Sequence, residues 1–123
     1  MGSMIIERIK NTALPCELIA IGTNSIAASA MLKAGADAGA SGENPVIAAC
    51  RDADVIIGPI GIIAADSLLG EVTPAMAVAV GQSKAKKLLL PVNLCGNIIV
   101  GTGSTPMAKL ISQAVDELEK LCK

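Results

Sequence analysis

No phenylalanine, tyrosine, tryptophan or histidine occurs anywhere in this chain of 123 residues, and that absence limits the folds open to it. A core without rings has to be filled by Ile, Leu, Val, Met and many Ala, so its elements approach one another closely. The lack of imidazole removes the usual general base near neutral pH and the commonest metal ligand. The lack of aromatic rings removes the stacking platforms used for single-stranded nucleic acid and for flavin or nicotinamide. Hydrophobic residues make up 52% and charged ones 17%, where about 25% charge is usual. With so few charges to cover a small domain, apolar surface is expected to be buried against a second copy, giving a homo-oligomer.

The length suits one domain over residues 1–123 and is too short for two well-filled cores. Net charge is −1, and the basic cluster Lys84, Lys86 and Lys87 is explained by a helix end meeting a strand start. A nucleic-acid partner is not expected. Cys16, Cys50, Cys95 and Cys122 are widely spread, with no C-x-x-C pair, so neither a zinc site nor a disulfide framework is expected. The longest apolar run, Val55 to Ala65, is interrupted by Gly58-Pro59 and Gly61 and falls short of the ~20 residues that a membrane span needs. Met1 to Lys10 reads as charged amphipathic helix and not as a signal peptide. A soluble, cytoplasmic protein with reduced thiols and no membrane partner is the expectation.

Hydrophobic spacing alternates between strand and helix along the chain. Ile5, Ile6 and Ile9 mark an amphipathic helix ended by Pro15, and Leu18 to Ile21 reads as a buried strand. Asn24 is placed to cap a helix closed by Gly35. Asp37 to Glu43 reads as a small-residue loop, after which Asn44-Pro45 opens a short helix. Asp54 to Gly58 is a continuous apolar strand, as expected where both sheet faces are covered. Ile60 to Leu69 is a helix candidate closed by Gly70. Thr73-Pro74 starts a further helix over Ala75 to Gln82, apolar nearly all round and therefore expected to be buried. Leu88 to Val92 is the third strand, and the short link Asn93 to Asn97 suggests an antiparallel edge hairpin with Ile98 to Val100. Thr105-Pro106 opens the last helix, where Met107, Leu110, Ile111, Ala114, Val115, Leu118 and Leu121 share one face. The alternation argues for an α/β fold with a mostly parallel sheet.

Three blocks carry a family resemblance: ELIAIGTNSIAASAMLKAGADAGASGENPVI, ADVIIGPIGIIAADSLLGEVTPAMAVAV and SKAKKLLLPVNLCG. Together they make the chain similar to a family of short bacterial proteins catalogued only as a domain of unknown function. The resemblance runs from Ile5 to about Gly101, and the last helix matches more loosely. It implies a three-layer, Rossmann-like fold. Members open with a hydrophobic strand and a glycine-rich turn, roughly VIDGQGGGIGK, which suits phosphate binding at a helix N-terminus. Met1-Gly2-Ser3 stands either as the tail of that turn or as residues foreign to it. In both cases the first strand and the implied phosphate site are incomplete within these residues, and the exposed strand edge would favour association with another chain.

Polar, glycine-rich turns follow three of the expected strands, on the rim where open α/β sheets bind ligands. The candidate ligand-binding residues are Gly22, Thr23 and Asn24; Ser41, Gly42, Glu43 and Asn44; Gly58, Pro59 and Gly61; and Asn93. Asn24 either caps a helix or offers an amide to a ribose. Glu43 either complements a helix dipole or accepts a ligand hydroxyl. GTGSTP (Gly101 to Pro106) either presents amides to an anion or is a turn capped by Thr105. Cys95 lacks a histidine to activate it, and Asp66 is expected to be exposed. No recognisable catalytic set is present. The expected role is binding of a small molecule, a nucleotide or another phosphate-bearing ligand, with no metal cofactor. The alternative is a structural protein that assembles without chemistry.

Overall fold

The first helix, α1 (Gly2–Asn11), buries Ile5, Ile6 and Ile9 and places Arg8 and Lys10 in its last turn, where cations suit the helix dipole. The computed structural model describes residues 1–92 and 96–122. Two parallel strand pairs follow. β1 (Ile19–Gly22) pairs with β2 (Ala38–Ser41), Gly22 lying opposite Ser41. β3 (Val55–Pro59) pairs with β4 (Lys86–Leu90), Pro59 lying opposite Leu90. Each parallel pair needs a crossover connection. The first pair is crossed by α2 (Ser25–Ala34), the second by a 3₁₀ turn (Ile60–Ile63), a long loop and α4 (Pro74–Gln82). Helix α3 (Glu43–Asp52) joins the pairs and packs on α4, and α5 (Met107–Leu121) closes the described chain.

The main core lies where α1 and α5 meet the second strand pair. Val55, Ile57, Leu88 and Leu90 alternate along their strands and pack with Ile5, Ile9, Ile111, Val115 and Leu118. Helix α1 packs against both α2 and α5. A smaller cluster joins Val72, Met76 and Ala77 with Val46 and Leu68.

Asp37 staples this arrangement at the start of the strands. Its Oδ2 accepts the Leu18 N–H at 2.7 Å, and its Oδ1 lies 3.6 Å from the Lys10 ammonium. The Leu18 N–H, with a further contribution from Lys10, holds the Asp37 carboxyl below its ordinary 3.8. A depressed folded-state value adds stability above the unfolded value, and that stability is lost as pH falls through the folded one. Acid unfolding of Asp37→Asn is therefore expected to depend less steeply on pH below about 4 than that of the parent protein. Urea midpoints measured from pH 7 to pH 2.5 check this, and parallel curves for the two proteins would contradict it.

The α/β class and the parallel pairing agree with expectation, but several elements differ. Ala38–Ser41 is a strand where a loop was expected. Its small residues favour no strand by themselves, and the in-register ladder with β1 imposes one. Ile60 to Leu69 is not a helix beyond the 3₁₀ turn at Ile60–Ile63. Asp66, Leu68, Leu69 and Gly70 have φ of +63°, +55°, +56° and +84°, which no right-handed helix accommodates.

The expected edge hairpin is not formed, for Ile98 to Val100 carry no strand. Gly96 and Gly101 turn the chain at positive φ, and both the Thr102 amide and its Oγ1 donate to the Ile99 carbonyl. Backbone groups satisfied locally leave no ladder. β4 starts two residues earlier than expected and ends at Leu90. Helix α3 starts at Glu43, with Gly42 and not Asn44 at its N-cap, and α5 starts at Met107 without the expected Thr105 cap. Helix α4 buries Met76, Ala77 and Val80 but exposes Val78, so it is covered on one side only. β1 is likewise not wholly covered, since Ile19 is exposed. Among the described residues no helix is long and apolar enough to cross a membrane.

Candidate functional site

The turn after β1 builds the site from a cap. Asn24 Oδ1 accepts the Ala27 N–H at 2.9 Å, which satisfies a helix-start donor. That leaves its amide nitrogen to point elsewhere, and Nδ2 donates to Glu71 Oε1 at 3.3 Å. Thr23 Oγ1 donates to the other oxygen, Glu71 Oε2, at 2.8 Å. The Asn24 side chain thus caps α2 as one of its two sequence readings expects, and its amide is engaged by Glu71.

A second carboxylate, Glu43, is tied to the same loop through Thr73. Thr73 Oγ1 accepts the Met76 N–H at 3.2 Å as the cap of α4, and it donates to Glu43 Oε1, also at 3.2 Å. Glu43 occupies the first turn of α3, where a negative charge is favoured by the helix dipole. Glu71 and Thr73 are two residues apart, so the network joins the turns after β1 and β2 to the loop that follows β3. Among the described residues the ion pairs are Lys10–Asp37 and Lys120–Glu117, and neither lies in this network. The exposed carboxylates therefore offer acceptor oxygens to donors such as hydroxyls.

Of the residues singled out in the sequence, Thr23, Asn24 and Glu43 are held in the network. Gly22 and Ser41 face each other at the ends of β1 and β2, and the Gly42 N–H donates to the Gly22 carbonyl at 3.3 Å. Asn44 is exposed in the first turn of α3. Gly58 and Pro59 end β3 beside Leu89 and Leu90. Gly61 is buried, and its carbonyl accepts the Ser67 hydroxyl. These last three have no hydrogen bond to the network. Asn93 and Cys95 lie outside the described residues. Asp66 is exposed as expected, whereas its neighbour Ser67 is buried.

Glu71 and Thr73 are the members that sequence reasoning missed. Thr73 was legible only as a cap. Glu71 did carry a signal, being the sole charged residue between Asp66 and Lys84. A lone charge in so apolar a stretch has to meet solvent or a partner.

Among the described residues, Cys16 and Cys50 are not activated nucleophiles. Burial, and then the neighbouring Cys122, push the Cys16 thiol above its ordinary value. Burial does the same at Cys50 against the opposing pull of Lys87. Raised thiols are protonated at neutral pH and react slowly.

Parallel strand pairs crossed by helices, with a hydroxyl–carboxylate network at the strand ends, define a mixed α/β protein with a polar rim. The chain belongs to the family described as Domain of unknown function (DUF3842), whose model matches residues 1–123. No curated protein and no solved structure shows a significant match.

Proposed function

We propose that this protein binds a ribose-bearing small molecule, a nucleotide or its nucleoside, at the rim formed by Thr23, Asn24, Glu43, Glu71 and Thr73. The observation that carries this reading is the Glu71 carboxylate, which binds Thr23 and Asn24 through separate oxygens at 2.8 and 3.3 Å. Those bonds fix its plane and leave its remaining lone pairs for a vicinal diol. The position supports the reading too, because strand C-terminal ends are where open α/β sheets take ligands. In this reading the helices cover the strand pairs in three layers, α1, α2 and α5 opposite α3 and α4. The ligand's phosphate extends away from Glu43 and Glu71, since like charges at short range repel.

Adenosine, ATP, ribose 5-phosphate and inorganic phosphate form the test panel, read by thermal shift and then by calorimetric titration. Adenosine and ATP are expected to stabilise the protein and inorganic phosphate is not. Glu71→Gln is expected to weaken adenosine about tenfold, the equivalent of one charge-assisted hydrogen bond. No shift with any ribose compound would overturn the reading. If the protein also proves larger than a monomer by light scattering, assembly without a ligand takes its place.

A further inference from the structure

Glu71 is held at its backbone independently of any ligand. Its N–H donates to the Leu68 carbonyl at 3.1 Å. On one side of it the Gly70 N–H donates to the Asp66 carbonyl, and on the other the Val72 N–H donates to the Ser67 carbonyl. Val72 and Ser67 are buried, so the loop that carries Glu71 is anchored to the interior.

The carboxylate is fixed as well, one oxygen at a time. Asn24 Oδ1 is committed to the Ala27 N–H at 2.9 Å, and that bond turns the amide so that Nδ2 meets Glu71 Oε1 at 3.3 Å. Thr23 Oγ1 donates to Oε2 at 2.8 Å. An ionised carboxylate has about four acceptor directions and no donor. Among the described residues two of these directions are used, one on each oxygen, and each oxygen keeps a further one. The free acceptors are therefore paired, and the turn after β1 sets their plane.

We propose that Thr23 and Asn24 are positioning residues that hold Glu71 as a two-point acceptor, and that the rim thereby selects ribonucleosides over 2′-deoxyribonucleosides, an inference that rests on the reading given above. The 2′- and 3′-hydroxyls of ribose stand on neighbouring carbons and on the same face of the ring, so the two donate together to the two oxygens of one carboxylate. Such a fork of two donors on two oxygens adds geometric selectivity to the strength of a charge-assisted bond. Loss of the 2′-hydroxyl leaves one oxygen without its donor. Because both oxygens are tethered, the carboxylate does not turn to meet the remaining hydroxyl in another way. A carboxylate free to turn would adapt to a single hydroxyl, and the difference between the two sugars would shrink.

Calorimetric titration of adenosine and of 2′-deoxyadenosine into the parent protein, Thr23→Val and Thr23→Ser tests this. Thr23 is half-buried, and valine keeps its shape without the hydroxyl, so Thr23→Val is expected to fold; melting curves check this. Asn24 is left intact because its side chain also caps α2. The parent is expected to bind adenosine about tenfold more tightly than 2′-deoxyadenosine, the equivalent of one hydrogen bond to a charged group. In Thr23→Val the ratio is expected to fall to about threefold, since an untethered side chain has to be ordered on binding. Thr23→Ser is expected to restore it. A role of Thr23 in folding alone would weaken both compounds equally and leave the ratio unchanged. Equal affinity for the two nucleosides in the parent, or an unchanged ratio in Thr23→Val, overturns the inference, and the Glu71→Gln titration decides the ribose site separately. A parent protein that binds neither nucleoside overturns the ribose site, and this inference falls with it.

Discussion

Gly22→Ala is expected to lower folding stability by about 3 kcal/mol, because an added methyl group there meets backbone that cannot move aside. A Cβ on Gly22 would lie 2.6 Å from the Ala28 nitrogen and 2.7 Å from the Asn24 oxygen. Those two atoms are the donor and acceptor of a hydrogen bond at the start of α2, 3.2 Å long. The methyl group would therefore wedge open the turn that carries Thr23 and Asn24, and both stability and the Glu71 network would suffer. Gly42→Ala is the control. A Cβ there meets nothing within 4 Å, although φ is +102°, so only the backbone cost of about 1–2 kcal/mol applies. Urea unfolding of the two variants checks the ranking. Equal losses would mean that the close approach at Gly22 is relieved by a small shift of α2. Gly22 thus acts at the rim through packing, by letting the chain turn tightly into the helix that bears the polar groups.

Ile9→Ala is expected to cost a similar amount, about 3 kcal/mol, and to lower the melting temperature by about 10 °C. Ile9 is 3% exposed and belongs to the main core with Ile5, Leu90, Ile111, Val115 and Leu118. Its helix packs on α2 beside the first strand pair and on α5 beside the second. No strand ladder connects the two pairs, so a cavity beneath α1 weakens a junction that the sheets themselves do not make. Ile9→Val removes a single methylene and is expected to cost about 1 kcal/mol. Thermal unfolding of both variants checks the gradient. A loss below 1 kcal/mol for the alanine variant would show that the core collapses around the gap.

Several elements were legible because their determinants are close in sequence. The threefold and fourfold spacing of Ile5, Ile9, Ile111, Val115 and Leu118 marked the buried faces of α1 and α5. Asn24 and Gly35 marked both ends of α2, and Thr73-Pro74 marked the start of α4, since each cap bonds to an amide or carbonyl within a few residues. The same locality made Thr23 and Asn24 visible as rim residues just past a strand, and Glu43 visible as a carboxylate in a polar loop beside a helix start. β2 was hidden because Ala-Gly-Ala-Ser carries no strand signal of its own. The loop at Asp66 to Gly70 was hidden because its apolar spacing imitates a helix.

What the chain's order of residues determined, then, is where helices begin and end, which of their faces are greasy, and the absence of ring and imidazole chemistry. What only the folded molecule decided is the meeting of groups far apart along the chain. Thr23 and Glu71 are 48 positions apart and Thr73 and Glu43 are 30 apart. Caps and periodicities are set by neighbours within a turn or two, whereas such meetings depend on how a long loop closes. In this chain that closure runs through a left-handed turn at Leu68 and Leu69, a conformation that leucine does not announce.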